Sequence, residues 1–467
     1  MESQSSIFGN TKLARIIILV VIFFAAIAIR AYDITDLPLD FHPTSQLNRA
    51  ILARGRYYQG LPAAPEWKRE LAAQMWKAED FEVPFMDGLA AISYRIIGEE
   101  VIWLPRLFAS IFWVIGGLAV YLLAKDLTSH DGAVIGTVVY LFLPFSVIAS
   151  RTFQPDPLIY ALILFSWWLM YRWIKRETWG LAIGTGLLGG MAILAKGLVV
   201  FIVLGGFIGL IMSIGFKKCI SKLQFWVMGV ITVLPTVIFI VYGIFSNSGL
   251  GKQLSLRFFP NLWIDPAFYI RWAGKIEEIA GLVMLMLGLV GIFLYKEWKK
   301  RALIIGFWIG YGLFAFLLAY YASTHNYYNL VLIPVIALSI TPLAELVSKR
   351  ISEIHPSKFW KGTFYIVLAM GFIINIWDIR QVFHRVNYRL EVLFWENIGE
   401  VVGHVHVVTR FSMESMMVGS SDARRVFRAS ASSRRRNTWT GSGGVRYSGM
   451  NPGWVSCTRS GTRTPAK

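Results

Sequence analysis

Apolar stretches of about 20 residues, long enough to cross a bilayer as helices, recur from residue 13 to near residue 378 and leave this chain few folds to adopt. In hydrocarbon each backbone N–H and C=O has to be satisfied within the segment or by neighbouring protein, which favours helices. Eleven spans are predicted, at 13–32, 101–124, 132–149, 157–174, 180–195, 198–215, 225–245, 278–295, 302–321, 328–347 and 362–378. The pair 180–195 and 198–215 is separated by Lys196-Gly197 alone and can also be read as one re-entrant unit. Composition agrees: 55% of the 467 residues are hydrophobic and 16% are charged, against about 25% charged in soluble domains. The expected fold class is an all-α polytopic membrane protein with a large first outer loop. The first stretch has no small-residue cleavage pattern and many spans follow it, so it reads as a retained span rather than a signal peptide.

Lys and Arg set the expected orientation. With Lys12 and Arg15 on the cytoplasmic side, the successive even-numbered spans deliver Lys125, Arg172 to Arg176, Lys217-Lys218 with Lys222, Lys296 to Arg301, and Lys349-Arg350 to that same side. The opposite face receives the loops 33–100, 150–156, 246–277 and 322–327. A net charge of +18 raises a nucleic-acid partner, but +10 of it lies in residues 423–467, which carry nine Arg, one Lys and no acid. The rest follows membrane topology, so no nucleic-acid partner is expected. Cys219 and Cys457 fall on opposite sides, which argues against a disulfide or a thiolate metal site. Three regions are expected: a transmembrane domain over 1–400, a short outer extension over 401–422 with room for a strand or two, and a basic, disordered tail over 423–467.

The 33–100 loop is too long for a simple connection, and long loops are commonly functional. It opens on Asp33, Asp36, Asp40 and His42, and the text from Thr44 to Tyr58 and from Glu66 to Lys77 has helical spacing. Trp67, Met75, Trp76 and Phe81 suit interfacial helices lying against lipid headgroups. Under the expected topology, Glu79, Asp80, Glu82, Asp87, Arg106, Arg151, Gln154, Asp156, Lys196, His325, Tyr327 and Tyr328 reach the same outer boundary. Polar convergence of that kind marks sites in membrane proteins, although wet loops are polar for ordinary reasons. Asp156, bracketed by Pro155 and Pro157, reads either as a helix cap or as a second site carboxylate. His325-Asn326-Tyr327-Tyr328 reads either as donors to a phosphate or as an ordinary aromatic belt.

Together these motifs resemble the GT-C type integral-membrane glycosyltransferases that use polyprenyl-phosphate sugars, the protein O-mannosyltransferase-like and aminoarabinose-transferase-like enzymes. The matching segments are Asp40-Phe41-His42-Pro43, Glu82-Val83-Pro84-Phe85, Leu104-Pro105-Arg106-Leu107, Asp156, Ala195-Lys196-Gly197, and His325 to Tyr328 before Leu330 to Pro334. Phe41 replaces the second acid of the usual acidic pair, and Glu82 stands near the place of a frequent lysine.

The resemblance implies a membrane glycosyltransferase that moves a sugar from a polyprenyl-phosphate donor to a lipid, protein or polysaccharide acceptor on the extracytoplasmic face. It implies an inverting displacement with Asp40 as general base and Asp156 as its companion. Arg106, Lys196, His325, Tyr327 and Tyr328 would bind the donor phosphate, and His42 and Glu82 complete the expected substrate-binding set. No cofactor is required, but Asp40, His42 and Glu82 together could ligate a divalent cation. A bacterial inner-membrane location, with the N-terminus cytoplasmic, is expected. The rival class is a transporter or flippase, whose ionisable residues belong near the bilayer midplane on broken, repeated helices; span centres here carry almost no charge and no half-to-half repeat is evident.

Overall fold

The computed structural model describes residues 6–9, 11–66, 68–69, 72–73, 83–245, 258–354, 358–385, 388–390, 393–394, 397, 408–409 and 456–457. The helices of the polypeptide are α1 (Lys12–Ala31), α2 (Pro43–Gln59), α3 (Phe85–Ile97), α4 (Leu104–Leu127), α5 (His130–Phe142), α6 (Pro144–Ser150), α7 (Asp156–Arg176), α8 (Trp179–Ala195) and α9 (Val200–Ile214). They continue as α10 (Phe216–Ile220), α11 (Leu223–Phe245), α12 (Pro266–Ala280), α13 (Leu282–Leu294), α14 (Trp298–Leu317), α15 (Ala319–Thr324), α16 (Leu332–Ser339), α17 (Thr341–Ile354) and α18 (Lys358–Arg385). Val408–Thr409 pairs antiparallel with Ser456–Cys457.

All eleven predicted spans fall on helices, and the chain is an all-α polytopic membrane protein. Among the described residues, seven helical segments, one of them Asn326–Ile351, are long and apolar enough to cross a membrane by themselves, and two bent pairs raise the number to nine. The bends have local causes. Predicted span 132–149 breaks by 58° between α5 and α6, where Pro144 opens the second helix and cannot donate to the preceding turn. The pair α12 and α13 turns by 89° at Gly281, whose φ of 77° a side chain would oppose. Most of the predicted helix over 66–77, with its Trp67, Met75 and Trp76, the loop acids Glu79 and Asp80, Phe81, and nearly all of the 423–467 tail lie outside the described residues.

The chain divides into two compact units, one of Met1–Ile34, Glu79–Phe85 and Arg106–Phe383, the other of Thr35–Ala78, Met86–Pro105 and His384–Lys467. The first unit is the span bundle. Helices in lipid gain little from hydrophobic sorting and associate by close backbone approach and polar contacts. In α9 and α14, Gly205 and Gly209 face Gly306 and Gly310, and a Cβ on Gly209 would stand 2.9 Å from the Cα of Leu303. Large rings fill the wider gaps, with Trp113 stacked on Tyr140 at 4.5 Å and Trp167 on Phe307 at 3.7 Å. Arg30, at the end of α1, is fully buried and donates to Ala26 O (3.0 Å), Leu141 O (2.8 Å) and Ser150 Oγ (2.7 Å).

The second unit is held by charge and hydrogen bonds. Positions Leu47, Ala50, Ile51 and Tyr57 bury one face of α2, the three-to-four spacing of an amphipathic helix. Arg49 meets the wholly buried Asp87 at 3.1 Å, and Arg54 meets Glu100 at 2.8 Å. Tyr58 donates to Glu100 (3.0 Å) and Tyr57 to Gly98 O (3.0 Å). Burial first, and then the Glu100 carboxylate, raises the Tyr58 hydroxyl well above its ordinary range, so it stays a donor.

Candidate active site

The candidate residues divide between the units. Asp40 and His42 belong to the second, and Arg106, Asp156, Lys196, His325, Tyr327 and Tyr328 to the first. Glu82 lies outside the described residues.

Pro155 at the N-cap supplies no side-chain cap bond, and Asp156 is the first residue of α7. Its Oδ1 accepts from Lys196 Nζ at 2.8 Å. Lys196 sits where α8 ends, in extended backbone, so the break between two apolar stretches is what delivers an ammonium to the start of α7. With Asp156 5% exposed and Lys196 8% exposed, this is a buried ion pair, in which each charge depends on the other to offset its lost hydration. The rings of Tyr327 and Tyr328 lie 5.5 Å and 5.2 Å from Nζ, within cation–π range. His325 stands 5.8 Å and 6.1 Å from those two rings, with Nδ1 2.8 Å from Thr324 Oγ1. Five predicted residues from three sequence-distant places therefore gather, around a cation lodged among electron-rich faces.

Arg106 is fully buried and donates to Arg151 O (3.1 Å) and Ile34 O (3.3 Å). Arg151 in turn donates to Asp33 O at 2.9 Å and lies 3.9 Å over the Phe383 ring. These bonds fasten backbone segments at the ends of spans, a task that the sequence reading had not separated from phosphate binding.

Asp40 is half-buried. Its Oδ1 accepts from Phe41 N (3.0 Å) and from Gln46 Nε2 (3.1 Å), and Gln46 also donates to Phe41 O at 2.7 Å. His42 occupies the left-handed region at φ 48° before Pro43 opens α2, a conformation uncommon outside glycine and concentrated at functional and turn positions. Its ring meets Phe41 edge-on at 4.6 Å. Gln46 was missed by sequence reasoning because a glutamine in the first turns of a mixed helix carries no distinguishing signal. Asp36, by contrast, accepts from Tyr388 N at 3.3 Å, in keeping with a structural part. Among the described residues no group of three or more His, Cys, Asp or Glu is arranged to hold a metal ion, and Glu82, one of the three weighed for that role, is not among them.

Residues 82–242, which include Arg106, Asp156 and Lys196, match the family described as dolichyl-phosphate-mannose-protein mannosyltransferase. An Archaeoglobus fulgidus oligosaccharyltransferase, in complex with zinc and sulfate, superposes with a TM-score of 0.51 at 14% identity, over 82% of this chain and 56% of that one. The chain shares the fold of that oligosaccharyltransferase, in keeping with the resemblance to GT-C type glycosyltransferases carried by its motifs. ArnT from Cupriavidus metallidurans matches at a TM-score of 0.49 both bound to undecaprenyl phosphate, at 15% identity over 71% of this chain and 59% of that one, and in the apo state, at 16% identity over 79% and 72%. The chain spans less than two thirds of the length of the oligosaccharyltransferase and of the lipid-bound ArnT. No curated protein sequence matches it.

Proposed function

We propose that the protein is a membrane glycosyltransferase that moves a sugar from a polyprenyl-phosphate donor to an acceptor hydroxyl on the extracytoplasmic face. The observation that carries this reading is the buried Lys196–Asp156 pair beside Tyr327 and Tyr328, inside a GT-C fold and with both charges in the matched segment. The mannosyltransferase family and the undecaprenyl-phosphate complex of ArnT name lipid phosphates, and a lysine among aromatic rings suits a phosphate ester with a lipid on one side and a sugar on the other.

The acceptor oxygen attacks the anomeric carbon as the bond from that carbon to the phosphate oxygen breaks. Asp40 takes the hydroxyl proton, and inversion follows from the single displacement. The phosphate leaves as an anion whose growing charge is met by Lys196 and by the donors of His325, Tyr327 and Tyr328. Asp156 holds the Lys196 ammonium in place. Arg106 can add field to the same anion while its described bonds hold backbone.

Purified protein in detergent or proteoliposomes, supplied with a polyprenyl-phosphate sugar labelled in the sugar, is expected to transfer label covalently to an acceptor fraction. Movement of label across the vesicle membrane with no covalent transfer would instead establish a transporter.

A further inference from the structure

The turn that presents Tyr327 and Tyr328 is gripped at both of its ends by α12. Asn326 Nδ2 donates to Glu278 at the start of the turn. At its other end Asn329, wholly buried, uses both faces of its amide. Its Oδ1 accepts from Tyr311 Oη at 3.0 Å and from Trp272 Nε1 at 3.2 Å, and its Nδ2 donates to Ala322 O at 2.7 Å. Trp272 Nε1 also lies 3.0 Å from Tyr311 Oη. The tyrosine proton goes to Asn329, and the tyrosine oxygen accepts from the indole. Such a closed triangle fixes which end of the amide faces which partner. Its members come from α12, α14 and the Asn326–Asn329 turn, and α12 is turned by 89° from α13 at Gly281.

We infer that Asn329, locked by Trp272 and Tyr311, is a positioning residue that holds the Tyr327 and Tyr328 rings against the Lys196 ammonium. This rests on the proposed role of Lys196 at the donor phosphate, and it adds a specificity element to it: α12 determines how closely two aromatic faces approach the cation. A buried amide hydrogen bond is lost at full desolvation penalty when one partner is removed, so truncating Asn329 releases the turn. An Asn at the end of an aromatic doublet, and a Trp six residues inside an amphipathic helix, look like ordinary interface composition in the sequence, which is why neither was singled out.

The test reads the Lys196 amine directly, without requiring turnover. The rate at which a water-soluble amine-acylating reagent modifies Lys196 is measured by peptide mass spectrometry for the full chain in detergent. Asn329→Leu and the gentler Tyr311→Phe, which removes a single oxygen, are made in the native background and in one where Tyr327 and Tyr328 are both Ala. Acylation is expected to rise about tenfold for Asn329→Leu and about threefold for Tyr311→Phe in the native background, the order of one or two lost buried hydrogen bonds, and not to rise further in the double-Ala background. Equal increases in both backgrounds, or no increase for either variant, would overturn the inference. Protection of Lys196 by added undecaprenyl phosphate is scored separately in the unsubstituted protein, and its failure would count against the proposed function while leaving the positioning result to stand or fall on the variants.

Discussion

Two carboxylates in this molecule are held in opposite ways. Asp40 is half-buried and its Oδ1 is oriented by two neutral donors, the Phe41 amide and the Gln46 side chain. Asp156 is buried, and its Oδ1 meets a lysine ammonium. Neutral donors aim a carboxylate without cancelling its charge, whereas a buried ammonium cancels the charge and makes each partner hostage to the other. On the proposed function, the difference separates the group that receives a proton from the one that holds a cation in place. It also predicts that the two positions fail differently when changed.

The largest effect is expected at Asp40. Asp40→Asn keeps the size and can still accept from Gln46, so transfer should fall by about 10²- to 10⁴-fold while the thermal midpoint in detergent barely moves. A large loss of stability in that variant would put Asp40 in the class of Asp156. Next comes Lys196→Ala, which strands a buried carboxylate and should cost about 3–5 kcal/mol of stability, read by thermal or denaturant unfolding. Lys196→Met combined with Asp156→Leu should recover most of the stability and none of the transfer. Gln46→Leu removes the donor shared by Asp40 and Phe41 O; a drop in transfer of about tenfold is expected from roughly 1–3 kcal/mol of lost orientation and an unmet acceptor, with donor binding preserved. Smallest is a pair outside either site. Glu177 lies 2.6 Å from Lys222 and 3.4 Å from Lys218, and the hydrogen bond from Lys222 leads the causes that lower its pKa. A depressed carboxyl contributes stability above its unfolded pKa and loses it as pH falls through the folded value. Glu177→Gln should therefore lower stability slightly at neutral pH, where that contribution is present, and flatten the fall in acid, so that the two proteins converge below the folded value.

Helix positions were readable because an apolar stretch in lipid has to be a helix, and the predicted spans fall on helices, although only seven to nine among the described residues are long and apolar enough to cross a membrane. The bend at Pro144 was written in the chain as well, yet a span counted by length alone runs straight through it. Site residues were readable as a set and not as pairs. Lys196 stood out as a charge between two apolar stretches, but its partner 40 residues away depends on how α7 and α8 pack, which no local pattern encodes. Arg106 shows the opposite: a cation at the right depth, selected for a phosphate, whose described bonds run to two carbonyls that become neighbours only after folding. Gln46, Trp272 and Asn329 were invisible because each is an unremarked polar residue whose meaning lies wholly in its partners.

Arg30 has a consequence for how the protein is made. Of its three acceptors, Ala26 O belongs to its own helix, while Leu141 O and Ser150 Oγ are synthesised more than 100 residues later. When α1 first enters the bilayer, the guanidinium has to reach toward the headgroups for water, and it turns inward only when α5 and α6 arrive. Membrane insertion is therefore provisional at this helix until about a third of the chain has been translated. A nascent chain stalled just before residue 141 should keep Arg30 open to aqueous reagents, and one extended past 150 should close it.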